Sequence, residues 1–397
     1  MKIRVLSIFV LVILVLSVVG LWTTVRERKT SVSSSGFRSV RWNPAAAAQY
    51  LDSREVWWQS WPGAQMDHGT VCISCHTVVT YALVRPALRQ ELNEKGTTRP
   101  EQVMLASIEK RVNDWANTAP FYTDEANGPG KSAQSRATEA VLNAVILASY
   151  DAAQGHLSSV TRAAFDEAWA LQETSGEDAG GWQWQDFHLA PWESTESAYQ
   201  GAALFAVALG NAPDGYAANP ASREHVELLE QYLRHQYAAQ PVMSQLYVLW
   251  ASRRMPELLT EKDRMKLIDK IENLQLSDGG WSLPSLDQQP GVRRYLLDYW
   301  KQISNTATSD GCATGLVVLA LEENGPKPKS SALSRGLQWL EDHQAKDGKW
   351  WAPSLNGLAP QSDEGLFMSD AATGYAVLAL QIAGDNRSAD GSLATGE

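Results

Sequence analysis

Val71, Cys72, Ile73, Ser74, Cys75, His76 and Thr77 form one continuous run in a chain of 397 residues. Two cysteines three positions apart, followed at once by a histidine, make up the attachment pattern for a c-type haem. The spacing has a chemical reason. Two thiols at this separation reach the two vinyl groups of one porphyrin, while the adjacent imidazole turns back to ligate the iron. Cys72, Cys75 and His76 are therefore the first candidate cofactor-binding residues, with His76 the metal ligand. The same residues admit two other chemistries. One is a Cys72 to Cys75 disulfide in an oxidising compartment; the other is a zinc site in which Cys72, Cys75, His76 and Cys312 act as four soft ligands.

A haem held in this way wants a distal ligand or an open position. Met66, His68, His188, Met243 and Met368 are the residues of suitable type. Met368 stands out because it enters the last of the apolar helices identified below, which closure of a ring would set beside the Cys-x-x-Cys-His segment. Glu193 and Glu196, close to Trp182, Trp184 and Trp192, form an acid pair that could work in catalysis or merely complement a helix N-terminus. Arg85 and Arg89, one helical turn apart, could neutralise haem propionates or form a solvated face.

The elements that must position these residues follow a repeated grammar. Arg335-Gly336-Leu337-Gln338-Trp339-Leu340, then Gln344, Asp347-Gly348 and Trp350, closes a helix with a glycine turn and plants a tryptophan behind it. Gln275, Gly279-Gly280 and Trp281 repeat the pattern, and Gln172, Gly180-Gly181 and Trp182 repeat it again. The 3.6-residue period extends this to six helix pairs. Outer helices are predicted near 45–60, 101–117, 159–173, 222–237, 261–276 and 331–345, and inner partners near 70–91, 132–150, 195–210, 241–255, 310–323 and 370–383. No segment alternates with period two. The expected fold is all-α, an (α/α)6 toroid of six helical hairpins whose inner helices run parallel around a central cavity.

Arg335-Gly336, Leu340, Gln344, Gly348 and Trp350 resemble the Gln-Trp repeat of squalene-hopene cyclases in order and spacing, and the other two copies match it in part. The resemblance to terpene cyclase and protein prenyltransferase toroids spans roughly residues 45–385. It implies the α/α toroid and an apolar cavity for isoprenoid chains; it does not by itself imply activity. The Asp-rich motif with which such cyclases protonate a polyene is missing, and the matching stretch reads Ser309-Asp310-Gly311-Cys312-Ala313-Thr314. That stretch is similar to the Asp-Gly-Cys of farnesyltransferase β subunits, which would carry zinc ligands over to Asp310 and Cys312. Their histidine partner is absent, since the position one repeat later reads Met368-Ser369-Asp370. A zinc-dependent enzyme of this class and a non-enzymatic isoprenoid-binding module stay open beside the haem reading.

Composition narrows the rest. An apolar content of 44% in 397 residues supports a large folded core. A net charge of −11 with dispersed lysines and arginines excludes a nucleic-acid surface. Lys2 and Arg4 precede an unbroken apolar run from Val5 to Trp22, which is long enough to cross a bilayer. No Ala-x-Ala site follows it, and Arg26, Arg28 and Lys29 come directly after, so residues 1–29 read as an uncleaved anchor. Residues 30–42 read as a tether, 43–385 as the toroid and 386–397 as a disordered tail. Haem attachment of this kind occurs on the exported side of the membrane, so the folded part is expected to face the periplasm or another extracytoplasmic space. The partners expected are the membrane, an apolar isoprenoid-like ligand and a redox partner.

Overall fold

The computed structural model of the chain describes residues 42–286, 308–324 and 330–394. These residues are overwhelmingly helical, and twelve helices of ten or more residues alternate in character along them. They are α1 (Pro44–Ser60), α2 (Val78–Glu91), α3 (Arg99–Asn113), α4 (Lys131–Gln154), α5 (Ser159–Ala170), α6 (Ser197–Asn211), α7 (Arg223–Gln236), α8 (Val242–Ala251), α9 (Glu261–Leu274), α10 (Gly311–Glu323), α11 (Ser331–Asp342) and α12 (Phe367–Ala394). Their boundaries follow local chemistry. Asn43 caps α1 by accepting from the Ala46 N–H, with Pro44 in the first turn. Thr260, Ser330 and Asp310 accept in the same way at the starts of α9, α11 and α10.

The odd-numbered helices from α3 onward bury one stripe, whereas the even-numbered ones are buried almost all round. Contacts among the even helices run in order: α2 packs on α4, α4 on α6, α6 on α8, α8 on α10, α10 on α12, and α12 returns to α2. Small residues make the approach possible. A Cβ on Gly315 of α10 would lie 2.7 Å from the Ala376 nitrogen of α12, so only glycine fits there. The stretch Glu364–Arg387 is long and apolar enough to cross a membrane, but most of it is buried within the fold.

The three Gln-Trp segments perform one structural task three times. Gln172 Nε2 donates to Gly180 O of its own turn and to His225 O of α7. Gln275 Nε2 donates to Gly279 O and to Ala332 O of α11. Gln344 Nε2 donates to Gly348 O and to Asn43 O at the start of α1, while its Oε1 accepts from the Asn43 N–H at 2.7 Å. Behind each turn the tryptophan indole donates to a carbonyl of the preceding helix: Trp182 to Ala168, Trp281 to Ile271 and Trp350 to Leu340. Each turn is thus fastened to the next odd-numbered helix, and the last is fastened to the first.

Two boundaries differ from the sequence expectation. The first even-numbered helix starts at Val78 and not near 70, because Thr70–Val71 pair antiparallel with Gln65–Met66 in a two-stranded ladder. The Cys72 N–H then donates to Ala64 O, and Ser74 Oγ accepts from the Thr77 and Val78 N–H groups, so the Cys-x-x-Cys-His segment is a fixed loop ahead of the helix. At the other end α12 continues to Ala394, beyond the expected end of the fold at 385. Asn386 holds the extension by donating to both the carbonyl and the carboxylate of Glu322. The apolar segment from Val5 to Trp22 lies outside the described residues.

Candidate functional site

Cys72, Cys75, His76 and Met368 all line one cavity. The loop between the small ladder and α2 contributes the first three, and the first turn of α12 contributes Met368. The cavity measures about 190 Å³ and is open to solvent on one side. Ligand pockets for drug-sized molecules hold about 300–1,000 Å³, so this one encloses only part of a porphyrin. Its walls are mainly apolar and aromatic, with Trp58, Trp61, Phe121, Trp192 and Phe367 prominent.

His76 is the most tightly determined group in the site. Its ring stacks on Phe367 with centroids 3.9 Å apart and meets the edge of Trp58 at 5.4 Å. His76 Nδ1 lies 2.8 Å from Thr77 Oγ1, and Thr77 Oγ1 donates to Asp370 Oδ2 at 2.7 Å. Thr77 has one proton and gives it to the carboxylate, so its oxygen accepts from His76 Nδ1–H. That assigns the tautomer and leaves Nε2 with its lone pair. Asp370 is fixed in turn by Tyr50 Oη at 2.7 Å and Arg54 Nε at 2.8 Å. Burial pushes the Asp370 carboxyl up, and the Arg54 guanidinium beside it opposes this. Burial, aided by the charge on Arg54, pushes His76 down to about 3, so the imidazole is neutral across the physiological range. The imidazole is thus neutral, its Nδ1–H anchored through Thr77 to a carboxylate and its Nε2 left as an acceptor.

All three cysteines are free thiols, with Cys72 and Cys312 buried and Cys75 half-buried. Burial pushes Cys72 and Cys75 up, and the carboxylate of Glu193 adds to the effect. The Trp58 indole donates to Cys72 O at 2.7 Å and keeps the loop against the wall.

Several expected partners are elsewhere. Cys312 is fully buried in α10 and is not among the cavity residues, and among the described residues no three His, Cys, Asp or Glu side chains converge as a metal site requires. The four-ligand zinc site is therefore not assembled. Asp310 is consumed as the cap of α10, accepting also from the Leu283 N–H. Met243 is buried in α8, Met66 sits in the small ladder, and His68 and His188 are surface residues beside Asp67 and Asp186. Arg85 is paired with Asp52 and Glu94, and Arg89 with Glu101, so neither is available to propionates. The acid pair is split: Glu193 lines the cavity, with its carboxyl pushed to about 7 by burial, while Glu196 lines a separate surface cleft.

Three groups of the site carry no local sequence pattern. Thr77 and Asp370 are 293 positions apart, and only the packing of α12 on α2 joins them. The third is Gln185, 5% exposed, whose side-chain Nε2 and Oε1 both lack a hydrogen-bond partner although it lines the cavity. Leaving a buried amide unpaired costs about 1–3 kcal/mol per group, which marks the position as one where a partner is wanted.

No family model matches the chain, and no curated protein matches it. Solved structures similar to it include a wild-type glycosidase, at 12% identity and a TM-score of 0.46, and a variant glycosidase, at 11% identity and a TM-score of 0.47. Each alignment covers 86% of this chain and 98% of the other. A likeness at this level carries no argument about function.

Proposed function

We propose that the chain is an exported, membrane-tethered (α/α)6 toroid that carries a covalent c-type haem. Cys72 and Cys75 would form the thioether links, and His76 Nε2 and Met368 would be the protein ligands to the iron. The observation that carries this reading is the relay from His76 Nδ1 through Thr77 to Asp370, which presents a neutral imidazole in the same cavity as two free thiols and a thioether. Haem iron, if bound there, would supply reversible one-electron exchange. The protein's own part is orientation and exclusion of water. Phe367 and Trp58 hold the imidazole plane, Asp370 fixes its tautomer, and the aromatic walls lower the local polarity, which tunes a redox centre. The apolar lining suits electron transfer or redox chemistry beside an isoprenoid-like ligand, and the open side of the cavity gives a redox partner access.

The toroid reading is supported by the closed cycle of contacts among α2, α4, α6, α8, α10 and α12 and by the Gln344 link from the last turn to α1. The tether is supported by the basic and apolar pattern of residues 2–22, and the attachment chemistry requires an extracytoplasmic location.

The test is expression of the full chain together with haem attachment machinery. A Soret band and a porphyrin mass that survive denaturation are expected, and both should vanish in the Cys72→Ala, Cys75→Ala double variant. His76→Ala should retain the mass and change the iron spectrum. Protein that emerges colourless from this expression, with no porphyrin mass, overturns the assignment.

A further inference from the structure

Gln185 and Glu193 stand on one loop, and neither is used by the haem reading. The loop is rigid. Leu189 and Glu193 exchange backbone hydrogen bonds of 2.9 Å, Phe187 N–H donates to Glu193 O at 2.9 Å, and Gln185 N–H donates to Thr138 Oγ1 on α4 at 2.9 Å. Both side chains face the cavity. The Gln185 amide offers a donor and an acceptor, each buried and without a partner among the described residues. Glu193 offers a carboxyl that burial keeps close to the neutral form. No lysine or arginine lines the cavity, and Lys131, the cation that acts on Glu193, stands outside it, so an anion would have to share that one charge with the Glu193 carboxyl.

Size and lining specify the rest. A cavity of roughly 150 Å³ with apolar walls takes one benzene ring. At about 190 Å³ this cavity has room for one ring with small polar substituents. Trp58, Trp61, Phe121 and Trp192 supply flat surfaces that stack on or edge such a ring. We propose that the cavity binds a neutral one-ring phenol, whose hydroxyl donates to the Glu193 carboxyl and whose oxygen accepts from Gln185 Nε2. A second hydroxyl would be received by Gln185 Oε1. The proposal uses neither thiol nor the imidazole nitrogen, but it shares the cavity with the haem of the proposed function and so concerns the chain before a porphyrin is attached.

The experiment is calorimetric titration of the purified full-length chain with resorcinol, toluene and benzoate, three one-ring probes that differ in polar groups and charge. Resorcinol should bind at least about tenfold more tightly than toluene, since toluene leaves the buried amide unpaired, and benzoate should bind no better than toluene. Gln185→Leu should abolish the preference for resorcinol while leaving toluene binding in place. Circular dichroism checks that this variant folds; if it does not, the three probes on the unmodified chain decide alone. Toluene or benzoate binding as tightly as resorcinol, no resorcinol binding, or an unchanged resorcinol affinity in folded Gln185→Leu overturns the proposal. The titrations use chain expressed without haem attachment machinery and free of a Soret band, so that no porphyrin occupies the shared cavity and failure of the haem reading and failure of this one are told apart.

Discussion

Thr77 has a single hydroxyl proton, and its donation in a hydrogen bond to Asp370 determines what His76 can do. Replacement by valine keeps the shape, removes the acceptor for Nδ1–H and takes one donor from a carboxylate that is fully buried. Thr77→Val is expected to lower unfolding stability in urea by about 1–3 kcal/mol, the cost of leaving buried polar groups unpaired. Thr77→Ser, which keeps the hydroxyl, should recover most of that loss. A merely volumetric role for Thr77 would give the opposite order, with valine tolerated and serine costly.

At the scale of single elements, α1 carries a buried acid with a predictable pH signature. Glu55 is 1% exposed; one oxygen accepts from Gln59 and the other has no partner. Burial pushes its carboxyl from 4.5 to about 8. Between those values the folded chain holds a proton that the unfolded chain has released. The contribution to stability is therefore complete below about pH 4.5 and is lost as pH rises through about 8. Glu55→Gln removes the ionisation. At pH 9 it should unfold about 2–4 kcal/mol later than the parent in a denaturant titration, and at pH 4 the two should coincide. A difference that does not change with pH would show that the Glu55 carboxyl titrates alike in the folded and unfolded chain.

The turn between α11 and α12 makes a second element-level prediction. Gly348 has φ +94°, and a Cβ there would lie 2.1 Å from Ala46 O of α1. Gly96 has a comparable φ of +83° with nothing within 4 Å. Gly96→Ala therefore meets only backbone strain, about 1 kcal/mol, whereas Gly348→Ala must also push α1 away from the turn. Thermal melts should show a drop at least twice as large for Gly348→Ala. Equal drops would mean that the Gln344 turn does not bear on α1 as described.

For the whole molecule, the acidic balance of the chain and the concentration of its long apolar run near the N-terminus separate attachment from folding. Removal of residues 1–29 should release a soluble protein that keeps its helical circular dichroism and its melting temperature, because the packed helices begin at Pro44. Continued sedimentation with membranes after a salt wash would require a second membrane-binding surface on the folded part.

The sequence by itself determined the all-helical class, the pairing of outer and inner helices and most of their limits, because amphipathic period, caps and glycine turns act over a few residues. It also singled out Cys72, Cys75 and His76, since that chemistry is written in adjacent positions, and Met368, through its place at the head of α12. Only the tertiary structure decided the company they keep. It put Asp370 behind His76 through Thr77, spent Asp310 on a helix cap, left Cys312 fully buried in α10 and tied Arg85 and Arg89 to acids of neighbouring segments. It also turned Gln185 inward unpaired. These outcomes depend on which helices pack together across hundreds of positions, and side-chain pairing at that range leaves no periodic trace in the chain that specifies it.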